Sequence, residues 1–213
     1  MLHEAATYPA GARLTLVLDC ATTRAVCGLV CDGRELAFAS AEGGHAAQRA
    51  LVLADEVMAL AGCRPAELAQ IVTGCGPGSF TGLRIGIATA RGLALGLGVP
   101  CIGVSTLEAL AAGAPGAIAL VDARRGELFA LAPDGGRVVE QPGAVAARIA
   151  PGALCVGDGA RRYRALLEDA GAVVPPGEDA RHAPGSLALA GLAHGAAAEP
   201  VYVRRPDAEP QIA

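Results

Sequence analysis

Aromatic side chains are nearly missing from this chain of 213 residues: they make up 3% of it, against 53% hydrophobic residues and 29 glycines. A core without rings has to be assembled from Ala, Val, Leu and Ile, packed closely. A basic run is missing too. The net charge is −4, so direct, non-specific binding to nucleic acid is not supported. No segment reads as a membrane span, because the uncharged run Gly92–Leu107 is short and interrupted by glycines and Pro100. Met1–Ala12 lacks a basic n-region and a long apolar h-region and reads as a loose leader, not a secretory signal. The seven cysteines, Cys20, Cys27, Cys31, Cys63, Cys75, Cys101 and Cys155, include no Cys-x-x-Cys pair. They read as small buried residues of a reducing cytoplasm. His3, His45, His182 and His194 form no His-x-x-x-His, which gives a zinc or iron site little support.

What the chain does have is one unusual stretch, Gly74 to Leu97. It reads as a strand end, a glycine-rich turn and a helix, with Ser79 placed to cap the helix and Pro77 suited to a tight backbone path. Gly82, Gly86, Gly92 and Gly96 all fall inside the helical pattern, and each costs about 1 kcal/mol relative to Ala. Against a typical stability of about 5–15 kcal/mol, something must offset that. Leu83, Ile87, Ala90, Ala94 and Leu97 form an ordinary core face. Gly82, Gly86, Thr89, Leu93 and Gly96 form a second stripe of mostly small residues, where another backbone can come close. Two readings of that stripe stand side by side: packing within the domain, and a helix–helix contact with another chain. A glycine turn before a helix is also a ready anion site. Here, however, no Gly-Lys-Ser/Thr follows the turn, and the spacing of Gly76, Gly78 and Gly82 is not Gly-x-Gly-x-x-Gly.

Along the chain, Leu14–Cys20, Ala25–Cys31 and Glu35–Ser40 read as strands, the last two joined by the turn signal Asp32-Gly33. A helix over His45–Ala61 follows, ended by Gly62 and apolar on more than one side. Next come a strand at Ile71–Gly74, the glycine helix, a strand at Cys101–Val104 and a short helix that Thr106 can cap. The pattern then restarts with strands at Ala117–Asp122, Glu127–Ala132 and Arg137–Glu140, a helix at Pro142–Ile149, a strand at Leu154–Val156 and helices at Ala160–Ala170 and Ser186–Ala193. Val173–Val174 reads as a last short strand. An internal echo at an interval of about a hundred residues indicates duplication. Two β-β-β-α-β-α lobes of this kind are the α/β architecture of the actin, sugar-kinase and Hsp70 ATPase (ASKHA) superfold, with a reduced second lobe here. The expected division is 13–107 for the first lobe and 108–213 for the second. In that superfold the turns after the first strand of each lobe touch phosphates, which points to Asp19, Thr22, Thr23 and Asp122 as candidate vestigial phosphate loops. Gly157-Asp158-Gly159-Ala160 sits where such folds approach adenosine. The plainer reading of Asp19 and Asp122 is a strand-end turn residue bonding its own backbone.

The motifs Leu16-Val17-Leu18-Asp19-Cys20-Ala21-Thr22, Gly76 through Gly86, Ile102 through Leu110, Asp122 through Glu127 and Pro200 through Arg204 resemble the bacterial TsaB family, in order and over most of the chain. The resemblance implies a non-catalytic dimerisation subunit. Its partner would be the related catalytic subunit TsaD, which works with the ATPase TsaE to place threonylcarbamoyl on the anticodon-adjacent adenosine of tRNA. It implies contact with tRNA only through the complex, ATP or ADP only in the complex, and a homodimer when TsaD is absent. TsaD-like members carry a His-x-x-x-His metal pair after the glycine helix, and Thr106–Gly113 here contains no His. His45 matches a histidine common in the family and is expected to serve a helix N-terminus. The expected partner contacts are Gly82, Gly86, Thr89 and Leu93, with Leu53 and Leu60 from the preceding helix and Arg84 and Arg91 at the rim. A stand-alone ATPase or kinase using Asp19 and Asp122 is the alternative.

Overall fold

The computed structural model describes residues 8–9 and 11–201. Most of the expected leader, and the Tyr202–Arg204 part of the tail motif, lie outside them. The first lobe is built from β1 (Leu14–Asp19), β2 (Arg24–Cys31), β3 (Arg34–Glu42), β4 (Leu68–Gly74) and β5 (Cys101–Val104). They form one mixed sheet in the order β3-β2-β1-β4-β5, antiparallel across the meander and parallel at β1–β4 and β4–β5. The β2–β3 turn puts Asp32 and Gly33 at φ 46° and 79°, the left-handed pair a tight hairpin needs.

The helix expected over His45–Ala61 is in two parts. A 3₁₀ turn spans Ala46–Arg49, and α1 follows at Ala50–Ala61, closed by Gly62 in the left-handed conformation. Leu53, Ala54, Val57, Met58 and Ala61 are buried, whereas Leu51, Val52 and Leu60 are exposed. The helix is therefore covered on one side only, although both sides are apolar. After α2 (Phe80–Leu97) comes α3 (Thr106–Gly113). Ser105, not Thr106, caps α3, accepting from the Glu108 amide at 3.3 Å. The cap falls one residue earlier because the Thr106 hydroxyl is used elsewhere.

The second lobe holds β6 (Ile118–Arg124), β7 (Glu127–Leu131), β8 (Arg137–Glu140) and β9 (Cys155–Val156), in the order β8-β7-β6-β9. Its helices are short: α4 (Pro142–Ala146), α5 (Asp158–Arg162) and α6 (Arg164–Asp169). Val173, expected in a strand, makes a single parallel bridge to Leu154. The chain then crosses back. α7 (Ser186–Gly191) lies on the face of the first sheet opposite α1 and α2, where Leu189 joins Val17, Val26 and Val72 in one cluster. Residues 196–197 run along the edge of β5, with Gly103 donating to the Ala196 carbonyl at 3.0 Å. The first sheet is thus covered on both faces, one face by a segment from the far end of the sequence.

Candidate functional site: the cleft between the lobes and the outer face of α1 and α2

The glycine helix begins at Ser79, whose hydroxyl accepts from the Gly82 amide at 3.3 Å. Leu83, Ile87, Ala90 and Ala94 are buried as the core face. Gly82 and Gly86 are buried as well, against the chain's own turn after β1. A Cβ on Gly78 would sit 2.2 Å from the Ala21 carbonyl oxygen, one on Gly82 at 2.2 Å from that of Cys20, and one on Gly86 at 3.1 Å from the Cys20 Cβ. The Ser79 amide donates to the Ala21 carbonyl at 2.6 Å. Half of the glycine puzzle is therefore solved within the domain: α2 rests on backbone, and only glycine leaves room.

The other half is not. Around a Cβ on Gly92 or Gly96 there is nothing within 4 Å, and both residues are exposed. They share the outer face of α2 with Arg84, Ala88, Arg91 and Leu95, the last 86% exposed. Beside them α1 shows Leu51 at 58%, Val52 and Leu60. Of the residues expected at a partner contact, Arg84, Arg91 and Leu60 lie on this open face. Thr89 and Leu93 are half-buried, and Leu93 packs on the first lobe's core. Gly82, Gly86 and Leu53 are inside, and their neighbours are this chain's own atoms. The exposed ring of Phe80 stacks under the Arg84 guanidinium at 3.8 Å.

The cleft between the lobes is a cavity of about 720 Å³. Cys20, Thr22, Thr23, Ser79, Thr81, His45, Asp158 and four arginines, Arg124, Arg161, Arg162 and Arg164, are among its walls. The candidate phosphate-loop carboxylates do not open into it. Asp19 is fully buried. One oxygen accepts from the Ala21 amide at 2.7 Å, and the other from the Thr106 hydroxyl at 2.7 Å, which itself accepts from the Gly76 amide at 3.1 Å. Burial raises the Asp19 carboxyl to about 6, against the pull of those two hydrogen bonds. Asp122 accepts from the Arg124 amide at 2.9 Å and pairs with Arg162 at 3.1 Å and Arg124 at 3.3 Å. The Thr22 hydroxyl donates to the Arg24 carbonyl at 2.9 Å. Thr23 contributes its backbone amide, which donates to Asp158. The strand-end reading of Asp19 and Asp122 thus describes their bonding.

Asp158 was legible only as part of a Gly-Asp-Gly run. Gly157 and Gly159 let that run lie on the Leu120 carbonyl, where a Cβ would fall at 2.1 and 2.9 Å. At the rim, Glu42 pairs with Arg24 at 3.0 Å and reaches across to Arg161. The hydrogen bonds from these two guanidiniums hold its carboxyl below the usual range. His45 makes no side-chain cap to the turn that follows it, and its carbonyl accepts from Gln48 instead. His182, which the sequence left unassigned, is buried and bonds the backbone of Gly157 and the Pro175 carbonyl. Among the described residues no three His, Cys, Asp or Glu side chains gather as a metal ion would require, and no helix is long and apolar enough to cross a membrane.

Two sheets of this order, facing one another across a cleft, define the class of the actin, sugar-kinase and Hsp70 ATPase folds. The crystal structure of the ethanolamine utilization protein EutJ from Carboxydothermus hydrogenoformans shares that fold at TM-score 0.51 and 16% identity over 91% of this chain and 93% of that one. The family model described as TsaD, tRNA N6-adenosine threonylcarbamoyltransferase, matches residues 40–150. Within it the chain belongs to the TsaB/YeaZ family. It is 40% identical to the Escherichia coli tRNA threonylcarbamoyladenosine biosynthesis protein TsaB over 120 residues, 54% of this chain and 52% of that protein. An uncharacterized protein of Mycobacterium tuberculosis is 38% identical over 149 residues, 68% of each chain. The structure of YeaZ from Pseudomonas aeruginosa superposes at TM-score 0.70 with 29% identity, covering 90% of this chain and all of that one.

Proposed function

We propose that this chain acts in tRNA threonylcarbamoyladenosine biosynthesis as the non-catalytic partner of a TsaD subunit, docking through the outer face of α1 and α2. The relatives that carry the TsaB name support the pathway. The observation that supports the docking role is the open face itself: Leu95, Leu51, Val52 and Leu60 exposed around two helical glycines with empty space above them. An exposed apolar patch of this kind marks an interaction surface more often than a bare one. Glycine at 92 and 96 also lets a second helix approach closely. Burial against that helix would offset the propensity cost of Gly92 and Gly96, the two that packing within the domain does not explain. The stand-alone ATPase reading draws no support from the cleft, because Asp19 and Asp122 spend their oxygens on the chain's own groups. On this reading ATP or ADP, TsaE and tRNA are met only in the complex, and a homodimer forms through the same face when TsaD is absent.

The test is light scattering coupled to size exclusion, on this chain alone and mixed with TsaD from the same organism. The expected outcome is a new mixed species, with tRNA-modifying activity only when TsaD and TsaE are present. A Leu95→Arg variant should stay folded and lose the mixed species. Unchanged assembly by that variant, or modification of tRNA by this chain alone, would sink the proposal.

A further inference from the structure

The floor of the cleft holds one carboxylate of the second lobe, Asp158 at the start of α5, that accepts from both lobes. Asp158 is 7% exposed. One of its oxygens accepts from the Thr23 amide, in the turn after β1, at 2.9 Å. The other accepts from the Asp122 amide, in β6, at 3.0 Å. One N–H comes from the turn after β1 of the first lobe and the other from strand β6 of the second, and both converge on a single carboxylate. Burial pushes the Asp158 carboxyl up, and the two backbone amide bonds pull against that by favouring its ionised form. Nearby, Asp122 is neutralised by Arg124 and Arg162, and the rim is closed by Glu42 with Arg24 and Arg161.

We infer that the Asp158 side chain is a resident carboxyl group: it fills a small oxyanion site made by one backbone amide from each lobe, and by filling it latches the cleft shut. Two consequences follow. The lobes move as one body, in contrast to a cleft that opens to admit and release a ligand. And the site, once emptied of its own carboxylate, takes a free small oxyanion in its place.

The experiment is amide hydrogen exchange by NMR on the full chain, wild type and Asp158→Ala, with formate as the probe and chloride at equal ionic strength as the control. In the variant the Thr23 and Asp122 amides should exchange about 10- to 100-fold faster, the factor expected for loss of one hydrogen bond to a charged group. Formate should restore their protection saturably in the variant and change nothing in wild type. Asp158→Asn keeps the volume and one acceptor oxygen, so it should keep one protected amide of the two. Unchanged protection in Asp158→Ala refutes the latch. Protection that is lost but recovered no better by formate than by chloride refutes the oxyanion site. Should the alanine variant not fold, wild type still decides. The Thr23 amide, whose bond to Asp158 is the one that crosses between the lobes, must then be protected, and a Thr23 amide that exchanges at the rate of a free surface loop overturns the inference.

Discussion

Replacing both Gly92 and Gly96 by Ala should move two measurements in opposite directions. Gly92 sits in the interior of the 18-residue helix α2 and Gly96 in its last turn, and a Cβ added to either meets no atom within 4 Å. In the lone chain the only change is then helix propensity, about 1 kcal/mol in favour of Ala at Gly92 and less at Gly96. The pair together gives about 1–2 kcal/mol. For a protein of this size each kcal/mol is worth about 2–4 °C, so Tm should rise by about 2–8 °C. In the complex the same two methyl groups would stand where a partner helix packs. Overpacking of a close contact costs about 1–3 kcal/mol, or about 5- to 150-fold in affinity for TsaD. The assay is thermal unfolding at a concentration where the chain is monomeric, paired with a TsaD titration. A higher Tm with unchanged affinity would show that this stripe is not the contact. A lower Tm would show that the outer face of α2 is already covered in the lone chain, and the reasoning from open space would fail. Gly82→Ala is the internal contrast: its Cβ would lie 2.2 Å from the Cys20 carbonyl oxygen, so the lone chain itself should be destabilised.

Leu95→Glu should leave the stability of the isolated chain within about 0.5 kcal/mol, because the side chain is almost wholly exposed, yet abolish the mixed species with TsaD on a sizing column. Gly74→Ala places a Cβ 1.7 Å from an Asp19 carboxylate oxygen and should prevent folding, which circular dichroism would report. Asp19 has its carboxyl raised to about 6 from an ordinary 3.8. The native state therefore holds a proton that the unfolded chain releases. The stabilisation is full below about pH 4 and is lost as pH rises through about 6, with a span of roughly 3 kcal/mol. Urea midpoints of wild type should fall over that window relative to those of Asp19→Asn, and parallel curves would refute it. All seven cysteines are free thiols. Cys101, the one not fully buried, should react first with a thiol reagent, while Cys27, pushed up to about 12 by burial, should react only on unfolding.

The pattern-bearing parts of the fold were legible in the sequence. Continuous apolar strands, the Asp32-Gly33 hairpin, the Gly62 stop and the repeat of the meander each have a local cause, and each appears where the pattern puts it. Which side of an apolar helix meets the core was not legible, because α1 and α2 carry apolar or small residues on more than one side and residue type alone does not mark the covered one. Gly82 and Gly86 looked the same as Gly92 and Gly96 in the sequence. Only the path of the turn at Cys20 and Ala21 separates them, and that is a tertiary fact. The same holds for Thr106. A hydroxyl before a helix reads as a cap, but Asp19 lies 87 positions away and claims it, leaving the cap to Ser105. The role of Asp158 in bridging the lobes depends on two amides that no motif spells out.

The return of the last described segment to the first sheet sets the order in which the protein can be completed during synthesis. α7 and residues 196–201 cover a face and an edge of a sheet whose strands end at Val104. When that sheet leaves the ribosome, the apolar face formed by Val17, Val26 and Val72 waits for residues translated about eighty positions later, roughly 4–16 s at ordinary elongation rates. Through that interval the nascent first lobe carries an uncovered surface. A version truncated between the lobes would carry it permanently, so the two lobes are one translational unit although they look like a duplicated pair.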